Sequence, residues 1–242
     1  MLTSNSYSVI IPNKFEDVIQ PLLRSIKEFE PTPPRIVIVA DGHERSYGYD
    51  IVKISGKFNF SRSVNAGINY AGLDDIILIN DDVRLLCPNT FKHLHDIAYS
   101  NIHLGILSPQ VDGGCGNSYM KPSNTHLWNG KGKNVEDGIH YCNARAGDRV
   151  TFACVYMKRK CLNKVGPFDE GFINYGFDDA DICIRTVGCG WKLGITNKLI
   201  IQHGEGGEKF VRGKNWSTSF FRTGGPGSRY NLAYLKSKHL VN

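Results

Sequence analysis

Long apolar segments are absent from this sequence. Nowhere in its 242 residues does an uncharged apolar run approach the roughly 18 residues that a membrane-spanning helix needs. The first residues, MLTSNSYSVIIPN, also lack the basic flank and long apolar stretch of a secretory signal peptide. We therefore expect a cytoplasmic protein without a permanent membrane anchor.

Paired cysteine motifs are missing as well. The seven cysteines include no CxxC pair, and their odd number argues against a complete disulfide framework. Reduced thiols are therefore the expected state, ahead of a zinc site.

No glycine-rich loop follows the first apolar run, where the chain reads PNKFED. Nucleotidyltransferases usually carry a glycine-rich basic loop at that place, so its absence argues against this class of enzyme. Internal repeats and low-complexity tracts are absent too, which leaves an ordinary globular protein as the expectation.

The composition fits one large domain or two closely packed halves. Hydrophobic residues make up 41% of the chain, enough to bury a substantial core. The net charge of +6 favours an anionic ligand or surface. Lysine and arginine concentrate near the C-terminus, in KFVRGKNW, FFRTGG and YLKSKH.

Short apolar runs rich in Ile and Val predict strands that are covered on both faces. They are YSVII at 7–11, RIVIVAD at 35–41 and DIILIND at 75–81, and IVKI at 51–54 predicts a further strand. Between the first two, Val18, Leu22, Ile26 and Phe29 recur at helical spacing, and this helix ends before PTPP. A second helix is predicted over SRSVNAGINYAG, with serines available to cap it. The order of these elements predicts an α/β fold with parallel strands.

The pattern changes after a further predicted strand, LGILSPQV. Residues 112–148 are rich in Gly, Asn and Lys and predict a long irregular excursion or lid. Strand character returns in RVTFACVYMKR at 149–159, and then in GWKLGIT and LIIQ.

Polar residues follow two of the predicted strands. Asp41 ends the second, and Asn80, Asp81 and Asp82 end the fourth. Ligands of parallel α/β sheets bind beyond the carboxyl ends of the strands, so these residues are candidates for one shared site.

The segment FINYGFDDADICIR collects three carboxylates within four positions. If Asp178 begins a helix, Asp178, Asp181 and Arg185 share one stripe, which predicts an Asp181–Arg185 ion pair. Asp178 would then lie at the positive end of the helix dipole. Asp179 falls outside this stripe, so we expect it to face a cleft.

Taken together, the motifs resemble those of a known family. SVIIPN, IVIVADG, FSRSVNAGINYAG, IILINDDV, VGPFDEGFINYGFDDADICIRTVGCGW and LIIQHGEGG occur in this order. They resemble the family-2 inverting glycosyltransferases of GT-A fold, most closely the galactofuranosyl- and rhamnosyltransferase-like branches. The resemblance covers roughly residues 7–210.

The resemblance implies a Rossmann-like, mostly parallel central sheet flanked by helices, followed by a C-terminal acceptor-side segment. The GT-A catalytic domain would span 1–209, with a nucleotide-sugar half at about 1–111 and an acceptor and catalytic half at about 112–209. Residues 210–242 would form a basic aromatic tail or lid that orders over bound donor or acceptor.

The resemblance also assigns roles. The donor nucleotide is expected to contact Pro12, Asp41, Arg62, Asn65 and Asp81. Asp82, in an NDD form of the DXD motif, and His203 are the expected ligands of Mn²⁺ or Mg²⁺, which prefer such oxygen and nitrogen donors. Asp179 takes the position of the catalytic base, with Asp178, Asp181 and Arg185 as its supporting helix.

These expectations describe an enzyme that moves a sugar from a nucleoside-diphosphate sugar, UDP- or dTDP-linked, to an acceptor hydroxyl. The acceptor could be a glycan, a lipid-linked glycan or a nucleic-acid base, with Trp128 and Trp216 as candidate stacking surfaces. The alternatives are a catalytically degenerate module that binds glycan or nucleic acid, and a nucleotidyltransferase.

Overall fold

The computed structural model describes residues 6–112, 135, 136, 138–142, 150–204 and 226–239. Within these residues ten strands form one sheet: β1 (Tyr7–Asn13), β2 (Arg35–Asp41), β3 (Asp50–Ile54), β4 (Asp75–Ile79), β5 (Val83–Leu85), β6 (Leu104–Asp112), β7 (Val135–Glu136), β8 (Ile139–Cys142), β9 (Cys154–Met157) and β10 (Lys192–His203). The described helices are α1 (Gln20–Phe29), α2 (Phe60–Ala71), α3 (Thr90–Ser100), α4 (Arg159–Val165), α5 (Asp178–Gly188) and α6 (Pro226–His239).

The first half of the sheet is parallel and has the strand order β3-β2-β1-β4. All of β4 and nearly all of β1 and β2 are buried, because helices cover the sheet, and this explains their continuous apolar sequences. The four strands predicted from the sequence are confirmed. The order reverses at β1, where β2 lies on one side and β4 on the other, which is the place where parallel α/β sheets bind ligands beyond the carboxyl ends of their strands.

Helix α2 lies very close to the sheet. A Cβ atom at Gly67 would overlap the side chains of Ile10 and Val39, so only glycine allows this approach. The helix begins after Asn59, whose side chain accepts a hydrogen bond from the Arg62 amide at 2.9 Å. Asn59 therefore caps the helix, where the sequence had suggested a serine.

The second half of the sheet is mixed. Strand β9 is antiparallel to both of its neighbours, β4 and β6, while β10 is parallel to β6. Strands β5 and β8 both pair antiparallel with β10. The parallel character predicted for the sheet is therefore concentrated in its first half.

Three local predictions are corrected in this half. GWKLGIT and LIIQ are parts of one strand, β10, with a register irregularity between Thr196 and Ile200. The strand predicted over 149–159 is confined to β9, and the region expected to be irregular contains the β7–β8 hairpin. Pairing with distant strands decides these boundaries, and local apolar patterns do not report it.

Helix α5 lies between two apolar clusters. Ile182 and Cys183 belong to the main core, whereas Ala180 packs with Phe172 and with Leu235 of α6 in a smaller cluster. The described part of the predicted C-terminal tail is thus a helix docked against α5 and the segment before it. Trp128 and Trp216 lie outside the described residues.

No helix in the described part of the chain is long and apolar enough to cross a membrane. Six of the seven cysteines are described, and all six are thiols, as expected. Cys115 lies outside the described residues.

Candidate active site

Asp82 and His203 meet at the carboxyl edge of the sheet. Strand β10 pairs with β5 so that His203 lies opposite Val83, directly beside Asp82. His203 Nε2 is 2.9 Å from Asp82 Oδ1, and both side chains are almost completely buried. The backbone N–H of Gly204 donates to the Asp82 carbonyl at 3.1 Å, which fixes the two strand ends together. The sequence had named both residues as metal ligands, and the fold brings them together.

The donor set fits a hard divalent cation. Asn80 contributes an amide whose Nδ2 is 3.3 Å from His203 Nε2, and its Oδ1 is buried without a hydrogen-bond partner. Carboxylate, imidazole and amide groups are ligands that Mn²⁺ accepts, and neighbouring ligands about 2.1 Å from an octahedral ion lie about 3 Å apart. Within the described residues, no group of three or more His, Cys, Asp or Glu side chains is arranged to hold a metal alone. Ligand oxygens would have to complete such a site.

Asp41 is buried at the end of β2, with 2% of its surface exposed. Its Oδ1 accepts a hydrogen bond from Lys14 Nζ at 3.1 Å. Its Oδ2 has no hydrogen-bond donor, although Arg62 Nη2 lies 3.9 Å away. The carboxylate therefore keeps one oxygen available for a ligand N–H. Lys14 was not among the residues named from the sequence, since its partner lies on another strand.

Arg62 and Asn65 project from α2 and differ in their contacts. Arg62 Nη2 donates to the Lys57 carbonyl at 2.8 Å, while its Nε is buried without a partner. Asn65 Nδ2 donates to the Phe168 carbonyl and to Glu170 Oε1, both at 2.9 Å, and Asn65 Oδ1 accepts from the Phe168 amide. These bonds give Asn65 a bracing role toward the 168–170 segment, and its contact with a nucleotide stays a prediction.

Asn13 is a further residue of this edge that sequence reasoning missed. Its Nδ2 donates to Asp81 Oδ2 at 2.8 Å and to the Phe15 carbonyl at 2.9 Å. Its Oδ1 is buried and has no partner. Pro12 precedes it in β1 and is buried as well. Its position in the sequence could have revealed it. Asn13 ends the first apolar run, just as Asp41 and Asp82 follow the apolar runs of their own strands.

Three buried polar atoms without a hydrogen-bond partner, Asn13 Oδ1, Asp41 Oδ2 and Asn80 Oδ1, belong to residues at the carboxyl ends of β1, β2 and β4. A fourth, Arg62 Nε, belongs to a side chain that approaches Asp41, and others, such as Thr186 Oγ1, lie elsewhere in the fold. Most buried polar groups in folded proteins have hydrogen-bond partners, so a cluster of exceptions is expected where a polar ligand supplies them.

The start of α5 holds two buried carboxylates and one that is partly exposed. Asp178 Oδ1 accepts a hydrogen bond from the Gly176 amide, which stabilises the turn before the helix. Asp181 pairs with Arg185 through Nε at 2.8 Å and Nη2 at 2.7 Å, which confirms the predicted ion pair. Asp179 lies between them, half-buried, and its Oδ1 accepts from the Ala180 amide at 2.8 Å.

Asp181 also contacts α6, which the sequence did not indicate. Lys238 Nζ lies 2.8 Å and His239 Nε2 lies 2.7 Å from Asp181 Oδ1. Burial alone would raise the pKa of Asp181, but the bonds to Lys238, His239 and Arg185 outweigh it and lower the pKa.

The segment before α5 is joined to the start of α2. Asn59 Nδ2 donates to the Glu170 and Phe172 carbonyls at 2.9 Å each, and the Phe60 amide donates to the Asn174 carbonyl at 2.6 Å. A cleft of about 310 Å³ lies at this junction. Its lining residues are Lys57, Phe58, Asn59, Arg62, Glu170, Phe172, Ile173 and Asn174.

Two solved structures share this architecture. One is GalNAc-T7 with UDP, GalNAc and Mn²⁺, at a TM-score of 0.66 and 14% identity, covering 98% of this chain and 48% of that chain. The other is the mannosyltransferase PcManGT from Pyrobaculum calidifontis with GDP-Man and Mn²⁺, at a TM-score of 0.66 and 13% identity, covering 100% of this chain and 66% of that chain. The chain has the GT-A fold. At these identities the likeness concerns the fold.

Sequence comparison adds one distant relative. The uncharacterized protein y4gI of Sinorhizobium fredii is 22% identical over 158 residues, which are 58% of this chain and 16% of that protein. No protein-family model matches the sequence. This chain therefore spans less than two thirds of the length of each of these three proteins.

Proposed function

We propose that the protein is a metal-assisted inverting glycosyltransferase, which moves a sugar from a nucleoside-diphosphate sugar to an acceptor hydroxyl. The observation that carries this proposal is the buried Asp82–His203 pair, 2.9 Å apart, beside unpaired buried polar atoms at the carboxyl edge of a GT-A sheet. Support comes from GalNAc-T7 and the mannosyltransferase, whose structures hold Mn²⁺ together with UDP or GDP-Man.

Asp41 is the proposed contact of the nucleotide base. Its Oδ1 is bonded to Lys14, so Oδ2 is the oxygen left to accept an N–H. Uracil and thymine each present one ring N–H, whereas guanine presents two N–H groups on that edge, so UDP- or dTDP-sugars are the favoured donors. Arg62 would contact the nucleotide, and Asp81 and Pro12 would complete the wall beside it.

Asp82 and His203, with the amide oxygen of Asn80, are the proposed ligands of Mn²⁺ or Mg²⁺. When bound, such an ion neutralises the negative charge that develops on a departing diphosphate. To serve as a ligand, His203 must be a neutral imidazole whose remaining proton is on Nδ1, so that the Nε2 lone pair can bind the ion. The first position of the NDD motif is the neutral Asn80. Of the three proposed ligands, only Asp82 would therefore carry a negative charge.

Asp179 is the proposed general base. Inversion requires the acceptor hydroxyl to attack the anomeric carbon from the face opposite the diphosphate, with its proton taken by a carboxylate on that face. Asp178 and Asp181 are buried and bonded to the Gly176 amide and to Arg185, so Asp179 is the most exposed of the three. The proposed acceptor is a hydroxyl group of a glycan, a lipid-linked glycan or a nucleic-acid base. The proposed reaction resembles that of the galactofuranosyl- and rhamnosyltransferases.

Hydrolysis of nucleotide sugars tests the proposal without a known acceptor, because water can replace the hydroxyl. Purified protein would be incubated with UDP-, dTDP- and GDP-sugars, in Mn²⁺, in Mg²⁺ and in excess EDTA. We expect release of the nucleotide from a UDP- or dTDP-sugar, its loss in EDTA, and its recovery when Mn²⁺ is restored.

Asp82→Ala is the matching variant and Asp50→Ala the control, since Asp50 is an exposed carboxylate at the far end of β3. Asp82→Ala is expected to weaken donor binding in the presence of metal, whereas Asp50→Ala leaves it unchanged. Full turnover in excess EDTA would contradict the proposed dependence on a metal ion. Donor binding without turnover in any condition would instead support a degenerate binding module.

A further inference from the structure

The backbone that leads into α5 takes an unusual path. Asn174, Gly176 and Phe177 have positive φ angles of 55°, 99° and 68°. Residues other than glycine adopt this region at a cost, and such conformations persist only when their surroundings enforce them. The proposed base, Asp179, follows two residues after Phe177, so its position depends on what holds this turn.

Helix α2 holds one side of the turn, through the bonds from Asn59 and from the Phe60 amide. Helix α6 holds the other side through Asn231, which is completely buried. Asn231 Oδ1 accepts from the Ile173 amide at 2.8 Å. Its Nδ2 faces three carbonyls, those of Ile173 at 3.0 Å, Tyr175 at 3.1 Å and Gly176 at 3.0 Å.

This side chain uses its whole hydrogen-bonding capacity on one short stretch of backbone. An asparagine amide has two N–H donors and one carbonyl acceptor, so the three carbonyls share two hydrogens. The stretch is 55 to 58 positions away in sequence, so its geometry is imposed by tertiary structure. Asn231 thus supplies hydrogen bonds to the backbone of Ile173, Tyr175 and Gly176, whereas the start of α2 bonds the Asn174 carbonyl.

Other residues of α6 grip the ends of the same segment. Tyr234 Oη donates to Asp169 Oδ2 at 3.1 Å, and Lys238 reaches both Asp169 at 2.6 Å and Asp181 at 2.8 Å. These contacts dock the helix, whereas the contacts of Asn231 define the turn itself.

We propose that Asn231 is a positioning residue for Asp179, an inference that rests on the proposed function. Without this side chain, three backbone carbonyls and one backbone N–H of the turn lose their hydrogen-bond partner. The turn can then adopt other conformations. The start of α5 then shifts, and a misplacement of about 1 Å at a reacting group lowers a rate by about 100-fold. The hydrogen bonds that fix Asn231 all lead to residues 173–176, whereas Asp41 ends β2 and Asp82 follows β4. Donor affinity is therefore expected to change little, even though Asn174 also bonds the start of α2.

Asn231→Ala tests the proposal, with two readouts on the full chain. Amide hydrogen exchange over residues 173–179 is expected to accelerate at least about 10-fold, because the turn opens locally. The kcat for hydrolysis of the nucleotide sugar is expected to fall about 100-fold, with the Kd for that donor within about 3-fold.

Two controls separate positioning from general stability. Tyr234→Phe removes one hydrogen bond from the same helix, and Leu94→Ala removes core packing in α3 on the other side of the fold. Compared well below each melting temperature, both are expected to keep kcat and the exchange rates of 173–179 near wild type. If Asn231→Ala does not fold, Asn231→Ser, which keeps one uncharged hydroxyl at the buried position, has the same expected direction of change.

Wild-type kcat and exchange in Asn231→Ala would overturn the proposal, as would an equal loss of kcat in Leu94→Ala. These results differ from failure of the proposed function, in which the wild-type protein itself hydrolyses no nucleotide sugar. In that case faster exchange over 173–179 would still mark Asn231 as the residue that orders the turn, and the role toward Asp179 would fall with the function.

Discussion

The two halves of the sheet share one apolar core but differ in the polar contacts of the segments around it. In the first half, with α1 and α2, strands β1, β2 and β4 are almost wholly buried and apolar, and the outer strand β3 is partly exposed. In the second half, residues 150–204 with α6, polar side chains that reach across the chain add to the apolar packing. Examples are Asn59 to Phe172 over 113 positions and Asn231 to Gly176 over 55.

This difference separates the two tasks that the proposed reaction requires. Apolar packing is non-directional and tolerant, so the first half can leave polar atoms unpaired at its edge for a ligand. Hydrogen bonds are directional, so the second half can hold a strained turn and a carboxylate in one geometry. Apart from His203, which reaches the first half through Asp82, substitutions at the proposed site residues are therefore expected to affect binding in the first half, and rate or stability in the second.

The largest expected effect concerns the second half, at the proposed base. Asp179→Asn keeps the size of the side chain and removes the proton acceptor, so transfer is expected to fall by about 10²- to 10⁴-fold. Rates at saturating donor, measured beside donor and metal binding, check this prediction, and binding is expected to persist. Near-normal turnover in Asp179→Asn, together with an inactive but folded Asp178→Asn, would move the base to the neighbouring residue.

Asp181 is expected to matter for stability more than for rate. Its buried carboxylate meets Arg185, Lys238 and His239, so Asp181→Asn removes the carboxylate partner of Arg185 and one of the two carboxylates that Lys238 contacts. We expect the free energy of unfolding to fall by about 3 kcal/mol, at the lower end for buried ion pairs because the partners are partly exposed. Denaturant titration measures it, and a loss below about 1 kcal/mol would show that the cluster is as weak as a surface pair.

The same cluster predicts an acid-sensitive second half. The pKa of Asp181 is lowered, because its bonds to Lys238, His239 and Arg185 outweigh the effect of burial. The pKa of Asp169 is lowered as well, since its bonds to Lys238, the Gly171 amide and Tyr234 outweigh desolvation. The unfolded chain therefore takes up these protons first, and the stability that both groups provide above about pH 4 is lost as the pH falls below that value.

Denaturant titrations at several pH values between 5 and 2.5 check this sign. The wild-type free energy of unfolding is expected to fall on acidification more steeply than that of Asp181→Asn, which lacks the group. Equal slopes in the two proteins would remove Asp181 from the acid response.

The smallest expected effect lies in the first half and sharpens the contrast. Arg35 Nε and Asp50 Oδ2 form an ion pair at 2.8 Å, but both side chains are 43% exposed. Asp50→Asn is expected to change the free energy of unfolding by about 0.5 kcal/mol or less, because solvent screens such pairs. A loss comparable to that of Asp181→Asn would show that the first half also depends on polar pairs.

The elements of the first half could be predicted from local sequence. Burial on both faces requires continuous Ile and Val runs, so YSVII, RIVIVAD and DIILI are directly recognisable as strands, and the β-branched residues of IVKI mark the partly exposed β3. In the second half the same reasoning divided β10 in two and missed the β7–β8 hairpin. Those strands are short or irregular, and their partners are distant in sequence.

The candidate site was predicted in part. The structure brings Asp82 and His203 together, while their roles as metal ligands stay a prediction, and Asp181–Arg185 followed from helical spacing alone. Asn13 and Lys14 were missed, and Asn65 was found bracing the 168–170 segment. The sequence around an asparagine does not reveal whether its amide will contact a ligand or a backbone group.

The sequence by itself determined the parallel α/β half, the positions of the polar strand ends and the register of α5, since all three depend on neighbours within a few residues. Only the tertiary structure decided that His203 lies 2.9 Å from Asp82 and that Asn231 holds the turn before Asp179. The physical reason is that hydrophobic periodicity repeats along the chain, whereas a directional hydrogen bond between distant elements is specified by the relative placement of two backbones.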